Sequence, residues 1–137
     1  MEENIYPGVL MRVKAVVTDS VVLLAFMIGT TFIFSRFEDV NDNFRIAAFL
    51  FIFILYDPLF TSLFGGTIGH KVNGLAVKKG GNHQQNIMFP LAIARFLTKA
   101  LLGWISLLTI SSNQERRAIH DFMAGSVVLF DSNIKKN

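Results

Sequence analysis

The chain has no cysteine, and that removes disulfides, thiol nucleophiles and thiolate metal ligands from consideration. Charge is scarce: Asp, Glu, Lys and Arg together make 17% of the residues, where soluble domains carry about 25%. Proline is limited to 3 residues, so few positions forbid long helices. The opening residues Met1, Glu2, Glu3 and Asn4 lack the basic start of a secretory signal, and no small-residue cleavage pattern closes the first apolar run. That run is therefore expected to stay in the mature protein.

Apolar residues, by contrast, make 52% of a chain of only 137 residues, and there are 14 Phe. A single small domain cannot bury so much apolar surface in its own interior, whereas lipid can cover it. The net charge of +3 comes from cations that flank apolar runs, which fits the cytoplasmic membrane face better than nucleic acid.

Two spans stand out, at about 12–34 and 46–64. In the first, Asp19 is the only charge between Ala15 and Phe34. The second is apolar on every face from Ile46 to Leu55, and then carries Asp57 and Pro58, where a kink is expected. Between them lies a loop with Arg36, Glu38, Asp39, Asp42 and Arg45, which has an acidic excess. The loop Gly65–Gln85 has no acid but holds His70, Lys71, Lys78, Lys79 and His83. The segment from Lys71 to Lys78 reads as a strand, and Ser126–Phe130 as a second. A polar, helix-like piece is expected around Glu115–Asp121. The whole, residues 1–137, is one domain: an all-α polytopic membrane protein with a small cytoplasmic two-stranded β element.

The third apolar stretch, about 87–110, carries Arg95 and Lys99 on one face, with Gly103 as a point where a helix can break. It is either a full span or a re-entrant hairpin. The positive-inside rule puts the N-terminus and the Gly65–Gln85 loop in the cytoplasm. A full third crossing would send Arg116, Arg117, Lys135 and Lys136 outside and separate the two strands. A hairpin avoids both conflicts and is the expected form.

Charges within membrane helices cost about 2.5–3.5 kcal/mol each on insertion scales and normally meet a partner. Asp19, Asp57, Arg95 and Lys99 balance in sign and fall at similar depth. Asp19 lies seven residues beyond Arg12, and Asp57 seven before Phe64, about 10 Å in each case. The expectation is one ion-pair cluster of Asp19 and Asp57 with Arg95, with Lys99 nearby. It would serve as glue between helices or, alternatively, as titrating carriers along a proton or cation pathway.

Other motifs are weak. Gly65–Lys71 lacks the spacing and ending of a phosphate loop, and the three histidines share no ligand spacing, so neither a cofactor nor a metal is expected. Ser20, Thr18 and Thr98 have no base arranged to activate them, which disfavours an enzyme.

Four pieces resemble the RDD family of small bacterial membrane proteins, named for one arginine and two aspartates. They are Arg12 with Asp19; Gly66, Thr67, Ile68 and Gly69 followed by Gly74–Val77; Arg95; and the closing run His120, Asp121, Phe122, Met123, Ala124, Gly125, Ser126. The resemblance covers about Tyr6 to Phe130. It implies a helical membrane fold and raises Arg12, Asp19 and Asp121 as residues to test. The family usually has lysine directly after the second loop glycine, where this chain has His70 and then Lys71; any loop lysine pairing with Asp121 would have to come from Lys71. Ser126 stands where threonine is commoner. Some members are linked to cation/proton exchange and others look like accessory subunits. The expected function is thus a non-enzymatic inner-membrane protein, a subunit or assembly partner in contact with lipid and with other subunits or copies of itself. The alternative is a monovalent cation/proton transporter using Asp19 and Asp57.

Overall fold

A computed structural model describes residues 5–134; the acidic start at Met1–Asn4 and the basic pair Lys135 and Lys136 lie outside them. Two long helices, α1 (Val9–Phe34) and α2 (Asp42–Phe64), form an antiparallel pair. Each contains a window of mean hydropathy 2.0, long and apolar enough to cross a membrane. At 26 residues α1 is about 39 Å long, more than the ~30 Å hydrocarbon layer. Asn41 caps α2 by accepting the Asn43 N–H, and α2 runs through Pro58 without ending there. It stops at Gly65, whose φ of 71° is open to glycine at little cost; its N–H returns to the Thr61 carbonyl.

The glycine-rich loop is more structured than its composition suggests. Thr67 caps a one-turn helix, α3 (Ile68–Val72), so Lys71 and Val72 belong to that turn and strand β1 begins only at Leu75, running to Lys79. It pairs antiparallel with β2 (Ser126–Phe130), in a register from Leu75 opposite Phe130 to Lys79 opposite Ser126. The polar tail piece forms a helix later than expected: α5 spans Ile119–Met123. A last turn, α6, covers Asp131–Ile134.

The third apolar stretch starts as α4 (Phe89–Leu102), breaks at Gly103 (φ 53°, ψ −131°), and continues as a 3-10 segment, Gly103–Ser112. By length and composition Phe89–Ser112 suffices to cross a membrane, yet both its ends lie at the same end of the α1–α2 pair. Just before α4, the Asn86 amide donates to the Ser62 and Leu63 carbonyls at the C-terminal end of α2. Just after the 3-10 segment, Arg116 donates to the Tyr6 carbonyl and its own carbonyl accepts from Arg12, at the N-terminal end of α1. The arms are about 21 Å of α-helix and about 20 Å of 3-10 helix, close enough in length to bring the chain back. This return delivers β2 to β1.

The core sits at that same end, where Leu75, Val77 and Val128 of the sheet pack with Ala15, Ile87, Ala92 and Ala124. Elsewhere the helices are bare: only 6% of the apolar window of α1 is buried. With no native thiol to interfere, single-cysteine chains test the topology. Gln85→Cys and Gln114→Cys are expected to react with a membrane-impermeant maleimide from one side of sealed vesicles, and Glu38→Cys from the other. Labelling of positions 85 and 114 from opposite faces would show that the third segment crosses.

Candidate functional site

Five buried or partly buried charges alternate in sign across four helices. On α1, Arg12 is 4% exposed and donates through Nη1 to Asp121 Oδ2 of α5 at 2.5 Å. Arg95 of α4 donates through Nε to the other oxygen of Asp121 at 3.1 Å and through Nη1 to Asp57 of α2 at 3.5 Å. Lys99, one turn along α4, reaches the second oxygen of Asp57 at 2.8 Å. Thr61 adds a neutral hydrogen bond to Asp57 at 3.2 Å. Removing one member of such a buried set costs more than the set contributes, because its partner is left charged and unpaired.

Asp121 also closes α5 by accepting the Ala118 N–H at 3.1 Å. Burial would raise its carboxyl pKa, but Arg12 and then Arg95 outweigh that and hold it below the ordinary carboxylate range. Its neighbour His120 is held down to about 3, by burial first and then by Arg95, so its ring is neutral at physiological pH. The His120 ring nitrogen Nδ1 lies 2.6 Å from the Ser106 hydroxyl, which also accepts the His120 backbone N–H at 3.1 Å. This hydroxyl–imidazole pair is fully enclosed on the Ser106 side and fastens α5 to the returning 3-10 arm.

Asp19 does not join this network, contrary to the expectation that it would meet Arg95. It is 7% exposed and takes only neutral donors: Tyr56 OH at 2.6 Å, the Thr67 hydroxyl at 2.6 Å and the Gly69 N–H at 2.7 Å. Matching depth along two helices does not fix which side of each faces the other. α3 lies against α1 at Asp19, whereas Arg95 on α4 faces α2 and α5. Gly69 makes the approach possible: a Cβ there would collide with the Ala15 carbonyl and stand 2.6 Å from the Asp19 carboxylate. Arg12 and Asp19 share a face of α1 with Ala15, yet their hydrogen-bonding partners differ.

A single proton on the Thr67 hydroxyl goes to Asp19, so the 2.6 Å contact with His70 Nδ1 requires His70 to donate there. Nε2 of His70 is then an acceptor. Burial first, then Arg95 and Lys99, push the His70 pKa well down, which keeps the ring neutral. Lys71 is exposed and does not supply the loop-lysine bond to Asp121, which Arg12 and Arg95 make instead. Gly66 (φ 146°) sits beside His70 and turns the chain from α2 into α3.

The pairings of Tyr56, His70, Ser106 and His120 leave little mark in the sequence. Tyr56 had the clearest signal, a phenol directly before the intramembrane Asp57. Ser106 had little, being one hydroxyl in an apolar arm.

Two outcomes follow. Asp121→Asn leaves Arg12 without a carboxylate and Arg95 with Asp57 alone, and is expected to cost about 3–5 kcal/mol, with Gly69→Ala lowering stability by about 1–3 kcal/mol through overpacking, both read by thermal unfolding in detergent. Acid acts in the same direction. An unfolded chain binds a proton on His120 near 6.5, while the folded one does so only near 3, so stability falls as pH drops below about 6.5 and continues to fall toward 3. Asp121 adds to the loss once pH passes below its unfolded value of 3.8. His120→Gln should flatten the decline of the unfolding midpoint between pH 7 and 5; an unchanged slope would assign it elsewhere.

No curated protein and no solved structure matches this chain significantly. Among known families, residues 6–125 match the RDD family. That stretch includes all six charges discussed above, from Arg12 to Asp121, and the three apolar segments that carry most of them. The chain is a multi-pass membrane protein and belongs to the RDD family.

Proposed function

We propose that the protein is a non-enzymatic component of the bacterial inner membrane that works as a subunit or assembly partner of a larger membrane complex. The observation that carries this reading is the bare outer half of the helix pair. On α1, Val21, Leu24, Ile28 and Phe32 are exposed, as are Leu50, Phe51 and Ile54 on α2, and no other segment among the described residues covers them. Two uncovered helices enclose no pathway, and such surface suits lipid together with neighbouring helices. Lys71, Lys78, Lys79, Arg116 and Arg117 gather at the sheet-bearing end, whereas the loop between α1 and α2 carries Glu38, Asp39 and Asp42. The positive-inside rule then favours a cytoplasmic sheet and N-terminus.

A cavity between α1, α2 and the re-entrant arm favours a second reading, cation/proton transport, because Asp19 and Asp57 both line it. Against it, Asp57 is held by two cations and Asp19 by three donors, so neither is a free carrier.

Extraction of the full chain from its own membrane in mild detergent, followed by native mass measurement, tests the first reading. The expected species is well above the 15.3 kDa of one chain. A lone monomer, together with ion flux in reconstituted vesicles that Asp19→Asn abolishes, would establish transport in its place.

A further inference from the structure

Between α1, α2 and the re-entrant arm lies a cavity of about 390 Å³. Its size falls in the lower part of the roughly 300–1,000 Å³ range of small-molecule pockets. Its walls are not uniform. Away from the sheet they are apolar, formed by Leu23, Phe53 and Trp104, while Val16, Phe96 and Leu107 add apolar surface level with the charges. Toward the sheet they end in His70, His120 and the ion network. Arg12, Arg95, Asp57 and Asp19 are each buried behind partners, while the Lys99 side chain is 25% exposed. One of its three N–H donors goes to Asp57, so of the charged side chains lining the cavity Lys99 is the most exposed and has donors to spare.

We infer that this cavity binds a single long acyl chain with a carboxylate head, a fatty-acid anion, through Lys99. The polarity of the walls matches the orientation of a chain from the adjacent leaflet, with its head toward the sheet and its tail toward the bilayer centre. Entry is lateral, since Val17 and Trp104 on the rim are 58% and 73% exposed. Depth selects the head. Asp57, which fixes the Lys99 ammonium, lies seven residues inside the end of α2, about 10 Å along the helix from that end. A small carboxylate can sink to that level, whereas a phospholipid phosphate is held at the surface by its glycerol and second chain. The inference does not rest on the subunit reading.

Trp104 is the sole tryptophan and lies on the wall, so its fluorescence reports occupancy. The full chain in detergent is titrated with stearate brominated at mid-chain, with the methyl ester of the same acid, and with phosphatidylglycerol carrying the same brominated chains. The acid is expected to quench saturably and about tenfold more tightly than the ester, the discrimination of one charge-assisted hydrogen bond. Lys99→Gln should bring the acid down to the level of the ester. Ala100→Phe, which fills the cavity and leaves every charge in place, should abolish saturable quenching while the helical circular dichroism is unchanged. Equal quenching by acid and ester, or an unaffected Ala100→Phe chain, would reduce the effect to amphiphile touching an exposed indole and overturn the inference. Phosphatidylglycerol binding as tightly as the acid would also overturn it, since the occupant would then be a phospholipid.

Discussion

Asp121 takes one guanidinium on each of its carboxylate oxygens, and the arrangement of the molecule depends on that shared charge. Arg12 stands at the start of α1 and Arg95 inside α4, and neither helix makes the contact unless α5 holds Asp121 between them. α5 in turn is placed by the sheet, which requires β2 to return beside β1. A membrane offers little hydrophobic force to pull helices together, so close packing and polar contacts must do it. In this chain the ion pairs join α1, α2, α4 and α5 at one end, while at the other end of the helix pair Arg45 stacks on Phe34.

The two aspartates of the first and last motifs solve the same problem in different ways. Asp121 is neutralised by formal charge. Asp19 is surrounded by a phenol, a hydroxyl and a backbone N–H, and this arrangement depends on the missing side chain of Gly69. A carboxylate satisfied by neutral donors needs a close backbone, which explains why the loop carries glycine where it meets α1. Lys71, two places after that glycine, is exposed and takes no part.

Much of this was legible in the residues. Long uncharged runs reveal α1 and α2 because lipid imposes a length and a composition. The pairing of the strands and the two-sidedness of the basic residues pointed to a returning third segment, with Gly103 as the break. Asp57 with Arg95 and Lys99 was readable from depth and sign. The partner of Asp19 was not, because depth along a helix says nothing of which neighbour it faces, and a one-turn helix such as α3 leaves almost no periodic signal. The link between Arg12 and Asp121 spans 109 positions, and only the motif resemblance marked both ends.

The arm that turns back at Gly103 gives the molecule different cross-sections at different heights. Near the sheet the lipid meets α1, α2, α4 and the 3-10 segment side by side. Beyond the tip of the arm it meets α1 and α2 alone. Such a body is a wedge, displacing more area from one leaflet than from the other. Gathered in numbers, these wedges would load the two leaflets unequally and bend the sheet of lipid that holds them, a mechanical effect that comes from shape and needs no chemistry at any site.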